Sequence, residues 1–256
     1  MNIFAYSFSL MIALNYVNGR NFTSNNSLEL HEYKYSYCKA HETCFSIGKT
    51  GNQIGYMVGE KLFRFISIVK HNQSVWLNLN ALLHQTVGPN DTSWIYGEKI
   101  PTLAGQSMND TQDIEVCESS RVALYTNDKH IRRTSTSEGN YSFVCEYRPI
   151  NRTVGITRAE VFNSKSIILK RIHVDSEKSK GCFQYIHNIS LLLCSFRCSV
   201  DLACRSMYHN SINSECIHAK YVDSLMAPDD WNKHSSGWKR FTRVNWSLAK
   251  VPSNET

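Results

Sequence analysis

The chain has 256 residues, with 28 Lys and Arg against 22 Asp and Glu, ten His and nine Cys. A net charge of +6 is too mild for a nucleic-acid-binding signature; it fits weak attraction to anionic surfaces, acidic glycans included. The length suits one large or two small domains, and so many cysteines in an exported chain read as disulfides, with one thiol left over by the odd count.

Residues 3–14 (IFAYSFSLMIAL) are apolar or small and carry no charge. The run is too short for a bilayer at ~20 residues and suits the core of a signal peptide, assigned to residues 1–19 with cleavage near Gly19. No later apolar run approaches ~18 residues, and the polar end KVPSNET lacks the hydrophobic tail of a lipid-anchor signal. A secreted, extracellular protein with no membrane span is predicted. Asn-X-Ser/Thr sequons occur at Asn21, Asn25, Asn72, Asn90, Asn109, Asn140, Asn151, Asn188, Asn245 and Asn254. Chance would give roughly four, so N-glycosylation is expected, with incomplete occupancy.

In chain order, residues 20–34 are polar and read as a flexible entry. Cys38 and Cys44 follow in a compact, hairpin-like stretch. Ile54, Met57, Val58 and Leu62 have helix-like spacing. Residues 65–69 and 75–79 read as strands, and residues 84–140 as loop-rich apart from a strand at 122–125. Alternation predicts a strand at 141–147. A basic link at 149–159 precedes a second region, which opens on a strand at 166–174 and packs five cysteines between Cys182 and Cys216. Such clustering suits a small domain that needs cross-links because its core is limited.

The segment Val75-Trp76-Leu77-Asn78-Leu79-Asn80, the turn Trp94-Ile-Tyr96-Gly97 and the strand Tyr141-Ser-Phe143-Val-Cys145-Glu146 stand in one order. Together they resemble C-type lectin domains over residues 36–148. In sugar-binding members one Ca²⁺ sits in a long loop, held by about 6–8 oxygens at ~2.3–2.6 Å. The resemblance carries four ligand positions onto this chain: Asn109, Glu115, Asn127 and Asp128. Ser107 replaces the family's first Glu and Met108 its proline. That proline is cis, a conformation costing a non-proline residue ~2.5–4 kcal/mol. Asn109 is also a sequon. These departures favour binding without calcium, with Ca²⁺-dependent sugar binding as the alternative. Lys129, His130, Arg132 and Arg133 read first as a solvated loop, second as a contact for a sulfated glycan.

The family pairs a helix cysteine with the final strand, but the helix expected around Met57 has none. Cys117 and Cys145 are left to bond each other, or one of them to bond Cys182. By likeness to longer members, Cys38 and Cys44 form an N-terminal staple.

The pattern Cys194-X3-Cys198-X5-Cys204-Arg-Ser-Met-X-Tyr, continued to Cys216, resembles PAN and apple domains over residues 160–243. Ser190 suits a helix cap, with Leu191, Cys194 and Cys198 on one helix face. Strands are expected from Cys204 to Tyr208 and from Cys216 to Tyr221, turning at Asn210, Ser211, Asn213 and Ser214. The resemblance implies Cys194 paired with Cys216, nested around Cys198 with Cys204, and a closing aromatic strand at Trp238 to Phe241. Zinc needs paired CxxC or His spacing, which is missing, so disulfides are the stronger reading. Residues 244–256 form a polar tail.

The fold class expected is α+β: a C-type lectin-like fold followed by a small, disulfide-stabilised PAN/apple module. No nucleophile elbow, His-Glu-X-X-His or phosphate-binding glycine loop is present. A non-enzymatic recognition or adhesion protein is expected, binding a protein or glycan ligand, with a disulfide-linked dimer allowed by the odd cysteine. No cofactor other than Ca²⁺ is implied.

Overall fold

The computed structural model describes residues 27–62, 67, 69–70, 73–83, 94–98, 120–126, 130–149, 161–163, 180–227 and 237–243. Two mixed units emerge, each a helix on a largely antiparallel sheet.

The first holds β1 (Ser27–Tyr35), α1 (Tyr37–Thr50), β2 (Gln53–Met57), β3 (Val75–Asn80), β4 (Ile95–Tyr96), β5 (Val122–Tyr125), β6 (Ile131–Thr134) and β7 (Tyr141–Pro149). The strands run in the order β1-β7-β3-β5-β6, with β2 also on β7 and β4 also on β3. β7 is the organising strand. It pairs antiparallel with β1 and β2, and parallel with β3. Buried Tyr37, Trp76, Phe143 and Tyr147 fill one layer, while Trp94, Tyr125 and the apolar side chains of β3 fill the other. Tyr37 and Tyr141 meet Trp76 edge-on at 5.4 and 5.0 Å between ring centres, and the Trp76 indole N–H donates to Tyr35 O at 2.7 Å.

Three expectations are corrected here. The flexible entry is β1 from Ser27 onward. The hairpin-like stretch is helical, since Cys38 and Cys44 lie on α1. The helix expected from Ile54 begins as strand β2. Residues 65–69 fall mostly outside the described residues, and residues 166–174 entirely so. The face α1 buries is Tyr37, Ala40, His41, Cys44 and Gly48, at helical spacing but poor in aliphatic side chains. Its contact with β2 is backbone to backbone. A Cβ on Gly55 would sit 1.9 Å from Cys44 O, and one on Gly48 would sit 2.2 Å from Gly55 N. That approach brings Cys44 to its disulfide partner Cys145 on β7.

The second unit holds β8 (Phe162–Asn163), β9 (Phe183–Ile186), α2 (Leu191–Val200), β10 (Cys204–Asn210), β11 (Glu215–Lys220) and β12 (Trp238–Arg243), in the order β8-β12-β10-β11-β9. Ser190 caps α2, its hydroxyl accepting from Leu193 N–H at 3.3 Å. Cys194 bonds Cys216 and Cys198 bonds Cys204, pinning the helix to β11 and β10. Leu191 does not share that buried face; it is 41% exposed. The far end of α2 is held by Arg243, which donates to the carbonyls of Cys198, Asp201 and Cys204 at 3.1, 3.0 and 2.8 Å. Cys198 O lies in the last turn of α2, whose carbonyls have no intrahelical partner, and Asp201 is the helix cap, while Cys204 O opens β10, so the one guanidinium ties the helix end to the strand that follows.

The N-terminal staple does not form. Cys38 bonds Cys182 instead, linking α1 to the entry of β9. Cys38 and Cys44 lie six residues apart on one helix, and are drawn respectively to the entry of β9 and to β7. Beside this link, Leu225 N–H donates to Leu82 O at 2.9 Å. Arg205, fully buried, donates to Gly97 O and Tyr221 O. Val222 packs in the same layer as Trp76.

Candidate functional site

The four carried-over calcium positions, Asn109, Glu115, Asn127 and Asp128, lie outside the described residues. The frame around them is described. β4 ends in a turn at Gly97 and Glu98, after which the long segment begins; the chain re-enters at Ser120 and runs into β5. β5 and β6 form an antiparallel pair with Tyr125 opposite Ile131. Thr126 closes it, donating through both its N–H (2.9 Å) and its hydroxyl (3.0 Å) to His130 O. Asn127 and Asp128 fall between these two residues in the chain.

The basic group after Asp128 is already engaged where it is described. Arg132 pairs with Glu138 at 3.0 Å, and Glu138 also accepts from the Thr134 hydroxyl at 2.6 Å. The Arg133 guanidinium lies over the Trp94 ring at 5.4 Å. Lys129 is outside the described residues.

At the base of the long segment Glu98 is half-buried. One carboxylate oxygen accepts from Glu60 N–H at 2.9 Å. Burial pushes its pKa up to about 7, against the backbone donors that favour the charged form. Close by, the buried Glu146 is held by Lys61 at 2.5 Å and Arg148 at 2.9 Å. At the seam between the units, His41 of α1 is buried, and desolvation followed by the charge of Arg205 on β10 lowers its pKa to about 3. Sequence reasoning missed this seam: its members are scattered single residues without a motif.

In the second unit Cys194, Cys216 and His218 gather, as do Cys198, Cys204 and His218, in metal-like clusters. All four sulfurs are spent in disulfides, so these are cross-links rather than ligand sets. The buried Asp223 accepts from Arg240 at 2.6 Å and from the Ser206 hydroxyl. Burial alone would raise its pKa; Arg240 and Ser206 outweigh that and hold it below the usual carboxylate value. Asn140 and Asn188 are the sequons within the described residues, and both are exposed.

No protein-family model matches the chain, and no curated protein matches it. Six solved chains match it, two of which are the following. The C-type lectin CEL-I from Cucumaria echinata is 12% identical at a TM-score of 0.33, covering 50% of this chain and 93% of that one. The EPNH mutant of CEL-I is 11% identical at 0.35, covering 50% and 97%. At such scores the likeness does not settle the fold. What the described residues establish is a mixed α+β protein built on antiparallel pairing and disulfides. Among them no helix is long and apolar enough to cross a membrane.

Proposed function

We propose that the protein is a secreted, N-glycosylated recognition protein in which a C-type lectin-like unit and a PAN/apple-like unit bind a protein or carbohydrate ligand without calcium, and that it is not an enzyme. The observation that carries this is the cysteine-linked frame. Cys44 on α1 joins Cys145 on the closing strand, the helix-to-final-strand pairing of the lectin resemblance. The first and last strands of that unit, β1 and β7, lie side by side. In the second unit the nested pairs Cys194–Cys216 and Cys198–Cys204 fasten a helix across an antiparallel sheet, which supports the PAN/apple reading. The buried charges Glu146 and Asp223 are held in structural pairs, and this favours binding over catalysis.

Calcium is the second reading, favoured by the order of Asn109, Glu115, Asn127 and Asp128 alone. Titrating Ca²⁺ calorimetrically into the secreted, metal-stripped protein separates the two. No heat above the millimolar range is expected; sub-millimolar binding lost in Asp128→Ala overturns calcium independence. A covalent dimer would use Cys117, since the other eight cysteines are paired within the chain; a dimer band on non-reducing electrophoresis, absent in Cys117→Ser, tests it.

A further inference from the structure

A groove of about 540 Å³ lies where the two units meet. α1 forms one wall, and the entry of β9 with the end of β11 forms the other. The Cys38–Cys182 disulfide joins the walls, so their spacing is fixed covalently. Ligand sites of roughly 300–1,000 Å³ concentrate at such junctions.

Tyr221 lines the groove in an unusual backbone state. Its φ is +65°, and Val222 N–H donates to Lys220 O at 2.7 Å, closing a three-residue turn around it. For a bulky side chain this is a rare and strained conformation. It is imposed from both sides. Tyr221 N–H donates to Ala203 O at 2.7 Å, and Tyr221 O accepts from the buried Arg205 at 2.9 Å. Strain of this kind persists only where the surroundings over-determine it, and it gathers at binding sites. Here it holds the ring parallel to His41, 5.9 Å between centres and 7° between planes, while the half-buried side chain still faces the groove.

We propose that this groove binds a neutral pyranose residue of a glycan, independently of calcium. Such a ring has an apolar C–H face that can lie on aromatic carbon, supplied by Phe183 and by the part of the Tyr221 ring left between His41 and Lys220 Nζ, which sits 5.9 Å from the ring centre. Its hydroxyls each donate and accept. Lys39 Nζ and Glu42 Oε2, 2.8 Å apart on α1, offer a donor beside an acceptor, and Gln184 adds its amide N–H, its Oε1 already accepting from Lys220 Nζ at 3.4 Å. The two groove lysines are already paired, Lys39 with Glu42 and Lys220 with Asp201. A neutral hydroxyl joins those pairs without displacing them, whereas an acidic sugar has to compete with a carboxylate.

The inference deepens the carbohydrate arm of the proposed function and rests on it. The test uses the full-length secreted protein on neutral, sialylated and sulfated oligosaccharides, with and without chelator, beside a Glu42→Ala/Gln184→Ala double variant and Asp128→Ala. Neutral glycans are expected to bind in chelator. Their affinity should fall roughly 10-fold or more in the double variant at unchanged melting temperature, and stay as it is in Asp128→Ala. A preference for sialylated or sulfated glycans overturns the proposal, as does neutral-glycan binding that survives the double substitution. Binding lost both on chelation and in Asp128→Ala overturns it too, and moves the site to the long segment. No glycan binding at all also overturns it, while a protein ligand found for the same preparation would leave the broader recognition function standing.

Discussion

The two units fill their interiors with different materials. The first buries large rings, with Trp76, Trp94, Tyr37, Phe143 and Tyr147 spread over two layers of a seven-stranded sheet. The second has five strands, and beneath its helix it buries Cys194, Cys198, Cys204, Cys216, Met207 and Ile189. It adds the Asp223–Arg240 pair and Arg243, whose charge is spent on carbonyls at the end of α2 and the start of β10. A small sheet cannot enclose enough apolar area to stand on burial alone, so covalent and ionic links take a larger share. The same kind of bond therefore matters differently in each unit.

Among changes confined to one unit, the largest nominal effect belongs to Cys44→Ala/Cys145→Ala. Its bridge spans 101 residues, and chain entropy puts its loss at about 4.7 kcal/mol. The ring-filled core should nevertheless keep the first unit folded, so near-ultraviolet dichroism of the tryptophans is expected to persist at 20 °C, with a lower midpoint in urea. Collapse of that signal would show that the first unit leans on sulfur as heavily as the second. Asp223→Ala comes next. It leaves Arg240 buried without its partner, costing about 3–5 kcal/mol, and the second unit should become protease-sensitive while the first stays protected. Cys194→Ala/Cys216→Ala, across 22 residues, should cost about 3 kcal/mol and act in the same place. If instead both units open together in limited proteolysis, the seam couples them into one cooperative block.

The seam titrates as well. Glu98 holds its proton more tightly in the folded chain, at about 7 against 4.5, so its contribution is full below about pH 4.5 and is lost as pH rises toward 7. His41 runs the other way. Its folded value is about 3 against 6.5, so stability is complete above 6.5 and falls as pH drops toward 3. In Glu98→Gln the first slope disappears: the melting temperature should exceed wild type at pH 8 and match it at pH 4. An unchanged pH profile would mean that Glu98 is charged and solvated at neutral pH. The smallest effect is Ser190→Ala, about 1 kcal/mol from the loss of the α2 cap, read as a shift of the urea midpoint.

The sequence was legible where side chains alternate or cluster by type. Residues 75–79, 122–125 and 141–147 fall within β3, β5 and β7 because apolar residues recur there every second position or continuously. α2 was legible from its cap and cysteine spacing. α1 was not: its inner face is Tyr, Ala, His, Cys and Gly, which no hydrophobic periodicity reveals. Missing that helix also hid the Cys44–Cys145 pairing, and with it the freedom of Cys38 to reach Cys182. β1 was overlooked because Glu29, His31 and Glu32 interrupt its Leu28 and Leu30. The groove could not be read at all, since Lys39, Gln184 and Tyr221 meet only after the chain has returned on itself. Of the seam, the one local hint was Tyr221 directly before Val222, and a left-handed tyrosine leaves no signature in composition.

The Cys38–Cys182 bond turns 145 residues, both cysteines included, into a closed ring. Any single backbone cut between those two cysteines, whether after Lys49 or within residues 99–119 or 150–160, opens the ring without releasing a piece. The nicked molecule would run as one species until a reductant is added and then separate into fragments. A preparation judged whole on a non-reducing gel could thus already be severed.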